Sequence, residues 1–131
     1  MDYSKEYISM CSKAEEIQNH FFMRRDDLYV LKNDLGGATY LCVEKYTGVS
    51  RETTVWLPRQ DQLQAMTVHP TDLAKHLFFS NWVDDNFTKE PFTEEQSKIY
   101  DKYSLEQLWL MYVMEEIFNK KWDANIQEWT N

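Results

Sequence analysis

The sequence has little of the material from which phosphate-binding loops, metal centres and redox sites are built. It contains 3 glycines, 2 cysteines and 3 histidines in 131 residues. A loop that cradles phosphate needs several closely spaced glycines, and no such string occurs. Cys11 and Cys42 lack the spacing of a zinc or redox motif, so we expect two small hydrophobic side chains in a reducing compartment. We expect His20, His69 and His76 to lie at the surface rather than to bind a metal. We expect no cofactor and no metal site.

Catalytic motifs are also absent. No H-E-x-x-H, G-x-G-x-x-G or G-x-S-x-G string occurs. Carboxylates do occur in adjacent pairs, but neighbouring residues on a helix diverge by about 100°, which makes them poor acid–base partners. The pairs are Glu15–Glu16, Asp26–Asp27, Asp84–Asp85, Glu94–Glu95 and Glu115–Glu116. The sequence therefore favours a protein that is not an enzyme, although a site assembled across elements would leave no such motif.

Positive charge and long apolar runs are scarce as well. Lysine and arginine number 14 against 22 acidic residues, which gives a formal net charge of −8. This charge opposes non-specific binding to nucleic-acid backbones and anionic membranes. The longest apolar run, Leu108 to Met114, is far shorter than the ~20 residues of a membrane span. The N-terminus also lacks the order of a signal peptide. We expect a cytoplasmic protein that contacts neither nucleic acid nor membrane directly.

Hydrophobic residues make up 43% of the chain and aromatic residues 15%. A chain of this length can bury roughly two thirds of its unfolded surface. No repeat, low-complexity tract or linker divides it, so we predict a single domain over residues 1–131.

The stretch from Ser104 to Trp122 is the most apolar part of the chain. Ser104 and Gln107 form a capping box, which predicts a helix that begins here. The apolar residues that follow cover most of the helix circumference, so the other elements must enclose it. We predict a buried central helix over about 104–121, with Lys120 and Lys121 complementing the negative end of its dipole.

Apolar periodicity predicts further helices. An N-terminal helix from Ser4 carries a stripe at three- and four-residue steps: Tyr7, Ile8, Cys11, Ala14, Ile17 and Phe21. A short helix over 59–66 turns Leu63 and Met66 inward. A third helix begins near Pro70, runs to about Asn81 and buries Leu73, Leu77, Phe78 and Trp82. We expect a loop at Asp84–Asn86, a helical segment over 93–102, and a last segment in which Ile126 and Trp129 fold back onto the body.

Between the first two helices the pattern becomes that of strands. Residues 28–31, 39–46 and 53–57 are β-branched and aromatic, and turn residues at 33–37 and 47–50 separate them. We predict an α+β fold in which a three-stranded antiparallel β-meander, about 28–57, packs against the N-terminal helix and a C-terminal helical half containing the central helix.

The stretch from Trp56 to Gln64 passes from an apolar strand end directly into a polar cluster fixed by a proline. Two interpretations stay open: a structural corner in which glutamine side chains cap loop backbone groups, and a binding epitope. The candidate interaction residues are Trp56, Arg59, Gln60, Asp61, Gln62, Asp84 and Asp85.

Several strings resemble a group of small proteins from phages and prophages of Gram-positive bacteria. They are W-L-P-R-Q-D-Q-L-Q at 56–64, S-L-E-Q-L-W-L-x-x-V-M-x-E at 104–116, C-x-K-A-x-E-I-Q at 11–18 and K-x-W at 120–122. The resemblance implies a phage context and no particular activity.

This context favours a non-enzymatic acidic phage accessory protein, a monomer or homodimer, that binds and modulates a host or phage protein in the host cytoplasm. Inhibition of a nucleic-acid-binding or defence protein is one form of that hypothesis, with the acidic charge either mimicking nucleic acid or serving solubility alone. The alternative is a small-ligand binder, for example of nucleotides, or a minor enzyme. Its pocket would lie between the sheet and the central helix, lined by Trp56, Tyr40, Arg59 and Trp109.

Overall fold

The structure is a computed structural model that describes residues 1–20, 27–32, 52–87 and 102–131, together with the backbone of 40–42. Several predictions lie outside these residues: the turns at 33–37 and 47–50, the position of Phe21, the side chains of Tyr40 and Cys42, and the helical segment over 93–101. The described elements confirm an α+β fold.

The N-terminal helix is divided into α1 (Lys5–Lys13) and α2 (Glu15–Asn19). The hydroxyl of Ser4 caps α1 by accepting a hydrogen bond from the Tyr7 amide at 3.1 Å. Ala14 leaves helical geometry with ψ at 73°, so the prediction of one continuous helix is wrong. The predicted stripe is confirmed, since its described members from Tyr7 to Ile17 are all buried.

Three short strands follow: β1 (Leu28–Leu31), β2 (Tyr40–Cys42) and β3 (Thr54–Leu57). β1 pairs antiparallel with both of the others, and Tyr29 lies opposite Leu41 on one side and Trp56 on the other. The order is β2-β1-β3, so the predicted meander is wrong. Alternating apolar residues identify strands without fixing their neighbours. Here β1 lies in the centre because it forms hydrogen-bonded ladders with both β2 and β3.

Two helices follow the sheet along the chain, α3 (Gln60–Met66) and α4 (Asp72–Phe87), and both pack against the central helix. Leu63 of α3 is fully buried, as predicted. α4 continues through Asp84, Asp85 and Asn86, so the predicted loop at these residues is wrong.

The face that α4 turns inward also differs from the prediction. Phe79, Trp82 and Val83 are buried, whereas Leu73, Leu77 and Phe78 are exposed. Only Trp82 was predicted correctly. Phe79 stacks on Trp109 with ring centroids 3.9 Å apart and planes 9° apart, and this contact orients the helix.

The central helix is α5 (Leu105–Phe118), and every residue from Leu108 to Met114 is buried, as predicted. The first apolar residue, Leu105, is exposed instead, whereas the polar Glu106 and Gln107 are buried. Both hydrogen bonds of the Ser104–Gln107 capping box are present at 3.1 Å. The helix ends before 121, because Asn119 adopts a left-handed conformation with φ of 57°. Lys120 and Lys121 therefore lie beyond its last turn.

The chain closes with a hairpin of β4 (Lys121–Asp123) and β5 (Glu128–Thr130). Trp129 folds back as predicted, and its indole donates to the Met10 carbonyl at 3.0 Å. Ile126 lies in the turn and is exposed, contrary to the prediction.

Candidate protein-interaction surface

The predicted polar corner is a hydrogen-bonded joint between β3 and α3. Gln62 accepts a hydrogen bond from the Arg59 amide at 2.9 Å and donates to the carboxylate of Asp27. Arg59 lies 3.6 Å from that same carboxylate and binds both oxygens of Asp61 at 3.0 and 3.3 Å. Because Asp27 is buried, these contacts supply the partners that a buried carboxylate requires.

Trp56 belongs to the core rather than to the surface of this joint. Its side chain is only 4% exposed, and both of its backbone polar groups bind the Gln18 carboxamide at 2.8 and 3.0 Å. Trp109 is 1% exposed. Both indoles are therefore core side chains, and neither offers the exposed aromatic wall that the predicted pocket between sheet and central helix requires. Gln60 is half-buried and Asp61 is exposed.

Asp84 and Asp85 lie on a different element from this corner. Both are exposed residues of α4. At about 100° per residue, Asp84 falls on the same outward side as Leu73 and Leu77, and Asp85 falls near Phe78. The structure thus separates the two aspartates from the β3–α3 joint and places them on the outward surface of α4, about two helical turns beyond Leu77 and Phe78.

This surface, the outer α4 patch, consists of exposed apolar side chains from α4 and from the two segments beside it. They range from 38% to 86% exposed: Val68, Leu73, Leu77, Phe78 and Ile117. Leu73 and Leu77 are four residues apart and therefore adjacent on the helix. His69 stacks on Phe78 with ring centroids 4.1 Å apart, which connects the helix to the loop before it.

A pocket of about 240 Å³ opens between the α3–α4 loop and α5, next to the patch. We call it the anchor pocket. It is lined by Thr67, Val68, His69, Tyr112, Glu116 and Ile117. The Tyr112 hydroxyl lies 3.2 Å from Nε2 of His69. Burial and, secondarily, the charge of Glu116 raise the pKa of Tyr112, so its hydroxyl keeps its proton at neutral pH.

The charges beside the patch are mostly negative. Asp84, Asp85 and Glu116 are exposed. Asp72 is exposed as well, and its carboxylate lies 3.9 Å from the Lys75 ammonium. An apolar centre with an acidic margin complements a partner whose apolar residues are flanked by basic ones.

The groups that could perform chemistry are poorly placed for it. Across the described residues, no three histidine, cysteine, aspartate or glutamate side chains converge as a metal site would require. Cys11 is fully buried, and desolvation raises the pKa of its thiol far above the ordinary value. A thiol held in this state is a poor nucleophile.

A second concavity, of about 320 Å³, lies between the N-terminal helices and β3. Its lining is mainly polar and combines hydroxyl, amide and charged groups with one apolar side chain. The lining residues are Ser12, Glu15, Gln18, Asn19, Lys32, Thr54 and Val55. We call it the polar groove.

Sequence reasoning missed the outer α4 patch because it assigned Leu73, Leu77 and Phe78 to the core. A signal was present, since α4 offers more large apolar residues than one buried stripe can hold. The stripe through Phe79, Trp82 and Val83 leaves the other three outside. Asp84, the charged residue directly after Trp82 and Val83, indicates which side of α4 faces solvent.

Comparison of the chain with protein-family models, with curated proteins and with solved structures finds no match. Within the described ranges, no helix combines the length and apolar character needed to cross a bilayer. The resemblance to phage proteins stays a prediction.

Proposed function

We propose that this protein is a non-enzymatic binding protein that docks a partner protein on the outer α4 patch. The observation that carries the proposal is the concentration of exposed Leu73, Leu77 and Phe78 on one helix, next to a pocket whose apolar walls are the exposed Val68 and Ile117. Scattered single apolar residues are normal on a surface, whereas a contiguous group with a polar margin is typical of an interface.

The charge of the patch selects the kind of partner. Asp84, Asp85 and Glu116 beside the apolar centre favour a basic, amphipathic partner segment. Association of two copies through the same patch would bring these carboxylates towards one another, which disfavours a homodimer at this surface. The phage resemblance supports a host or phage protein as the partner, and a basic binding segment fits inhibition of a nucleic-acid-binding or defence protein.

The proposal is tested by affinity capture with a variant of the patch and a control variant outside it. Leu77→Ser with Phe78→Ser removes the centre of the patch, and Ile126→Ser removes an apolar side chain of similar exposure, 59%, from the β4–β5 turn. We expect a host protein to be captured by the wild type and by Ile126→Ser, and to be lost from the double variant. Equal capture by all three proteins would overturn the proposal.

The oligomeric state provides an independent check. Sedimentation of the wild type should show a monomer. A dimer that dissociates in the Leu77→Ser, Phe78→Ser variant would mean that the patch serves self-association, contrary to the proposal.

A second candidate function is small-ligand binding in the polar groove. Its volume lies near the lower end of the ~300–1,000 Å³ typical of ligand pockets, and Glu15 and Lys32 offer one charge of each sign. Thermal shift with nucleotides tests it, since a ligand at a hundredfold excess over its Kd adds about 2.7 kcal/mol. A shift abolished by Lys32→Met supports this function, and no shift with any nucleotide removes it.

A further inference from the structure

Glu116 is distinguished from the neighbouring carboxylate by what surrounds it. Glu115 binds Lys121 at 3.3 Å and accepts a hydrogen bond from the Trp82 indole at 3.0 Å. Glu16 is paired with Lys120, and Glu106 with the N-terminal amine. The Glu116 side chain has no hydrogen bond or ion pair with any residue of the described ranges, and it lines the anchor pocket.

The walls of the anchor pocket suit an alkyl chain with a polar end. Val68 and Ile117 supply apolar surface, and both are exposed. Its polar side chains are those of Glu116 and Tyr112 on α5 and those of Thr67 and His69 on the α3–α4 loop, and Glu116 carries the full negative charge among them. At about 240 Å³ the pocket is smaller than the ~300–1,000 Å³ that hold drug-sized ligands, and its size suits a single side chain.

We propose that the anchor pocket receives an arginine side chain of the partner protein, with its stem on Val68 and Ile117 and its guanidinium on Glu116. This inference rests on the proposed function, because it names the residue by which the partner of the outer α4 patch is held.

Charge and shape both favour arginine over the other apolar-stemmed side chains. An acidic side chain would meet Glu116 with like charge, and an aliphatic one would leave the carboxylate without a counter-charge. A guanidinium is planar, donates up to five hydrogen bonds and stacks on aromatic rings. It can therefore bind Glu116 and lie against the His69 ring, which forms part of the same pocket.

The test uses a pair of probes that differ only in charge. N-acetyl-arginine amide and its neutral analogue N-acetyl-citrulline amide are titrated into the full chain, and amide chemical shifts are followed by NMR. We expect arginine to shift the amides of residues 67–69 and 112–117 with a millimolar Kd, and citrulline to shift them far less. Glu116→Gln should weaken arginine binding by about three- to tenfold. Glu52→Gln, which removes an exposed carboxylate elsewhere, should leave it unchanged.

Two results would overturn the inference: equal binding of arginine and citrulline, or equal affinity in wild type and Glu116→Gln. Neither depends on the affinity capture described above. If the Leu77→Ser, Phe78→Ser variant loses the partner but Glu116→Gln keeps it at wild-type affinity, the docking surface stands and the arginine anchor is wrong. If the probes bind as expected but the double variant retains the partner, the pocket stands and the docking surface is wrong.

Discussion

The imidazole of His69 lies flat against the ring of Phe78, with centroids 4.1 Å apart and planes 3° apart. His69 is held in turn by the hydroxyl of Tyr112, a core residue only 1% exposed. This connection from Tyr112 through His69 to Phe78 restrains an aromatic ring that is more than half exposed. A restrained ring loses less conformational entropy when a partner covers it, so the outer α4 patch is partly preorganised for binding.

Phe78 and Phe79 are adjacent in sequence and should respond oppositely to truncation. Phe79→Ala removes a ring that stacks on Trp109 in the core and should cost about 3–5 kcal/mol of unfolding free energy. Phe78→Ala removes an exposed ring with one stacking partner and should cost only about 0.5–1.5 kcal/mol. Urea denaturation of the two variants measures both values. Equal costs would mean that α4 is rotated from the orientation described.

The polar corner should matter for stability through Gln62. Gln62→Met removes the bond to the Arg59 amide and the bond to buried Asp27, and should cost about 1–3 kcal/mol. Gln60→Met, on the same helix and only half-buried, is the matched control and should change the unfolding free energy by less than about 0.5 kcal/mol. Thermal or urea unfolding distinguishes the two. If Gln62→Met is as stable as its control, the corner is not a structural joint.

The pair of Glu16 and Lys120 predicts a pH-dependent contribution to stability. Burial acts to raise the pKa of Glu16, but hydrogen bonding and attraction to the Lys120 ammonium outweigh it and set the pKa below its ordinary value of 4.5. A lowered carboxyl pKa stabilises the fold above the ordinary pKa, and this stabilisation is lost as the pH falls through the lowered value. Lys120→Met should therefore destabilise the protein by about 0.5–1 kcal/mol at neutral pH and much less at acidic pH.

Urea unfolding of the wild type and Lys120→Met across the acid range tests this pair. Lys32→Met, which removes an exposed lysine elsewhere, serves as the control for net charge. A Lys120→Met effect that stays constant down to strongly acidic pH would contradict the assigned interaction.

Cys11 should be inert towards thiol reagents while the protein is folded. Its side chain is fully buried, and desolvation raises the pKa of the thiol well above neutral pH, so almost no thiolate is present. Treatment with iodoacetamide, followed by mass spectrometry of the peptide that contains Cys11, should show modification only after denaturant is added. Rapid labelling of Cys11 in native buffer would show that α1 does not pack as described.

Local signals account for the elements that sequence reasoning predicted correctly. Ser104 and Gln107 specify the start of α5 through backbone hydrogen bonds within one turn, and the apolar run after them requires burial on all sides. The stripe from Tyr7 to Ile17 likewise depends only on helical periodicity, and it survives the break at Ala14.

The features that were missed depend on contacts between distant parts of the chain. Alternation identifies β1, β2 and β3, but the central position of β1 follows from its pairing with β3, more than twenty residues away in sequence. The orientation of α4 is set by the stacking of Phe79 on Trp109, thirty residues away in sequence. The candidate surface was missed for the same reason. Large apolar residues of a helix are assigned to the core by default, and only the tertiary contacts show that another set of residues on α4 occupies it.

Hydrogen exchange with and without the captured partner tests the location of the docking surface most directly. The account predicts slower amide exchange on complex formation in residues 67–79 and 112–118, with residues 124–130 around the Ile126 control unchanged. Protection confined to the polar corner at 56–64 or to the polar groove, with no change along α4, would contradict it.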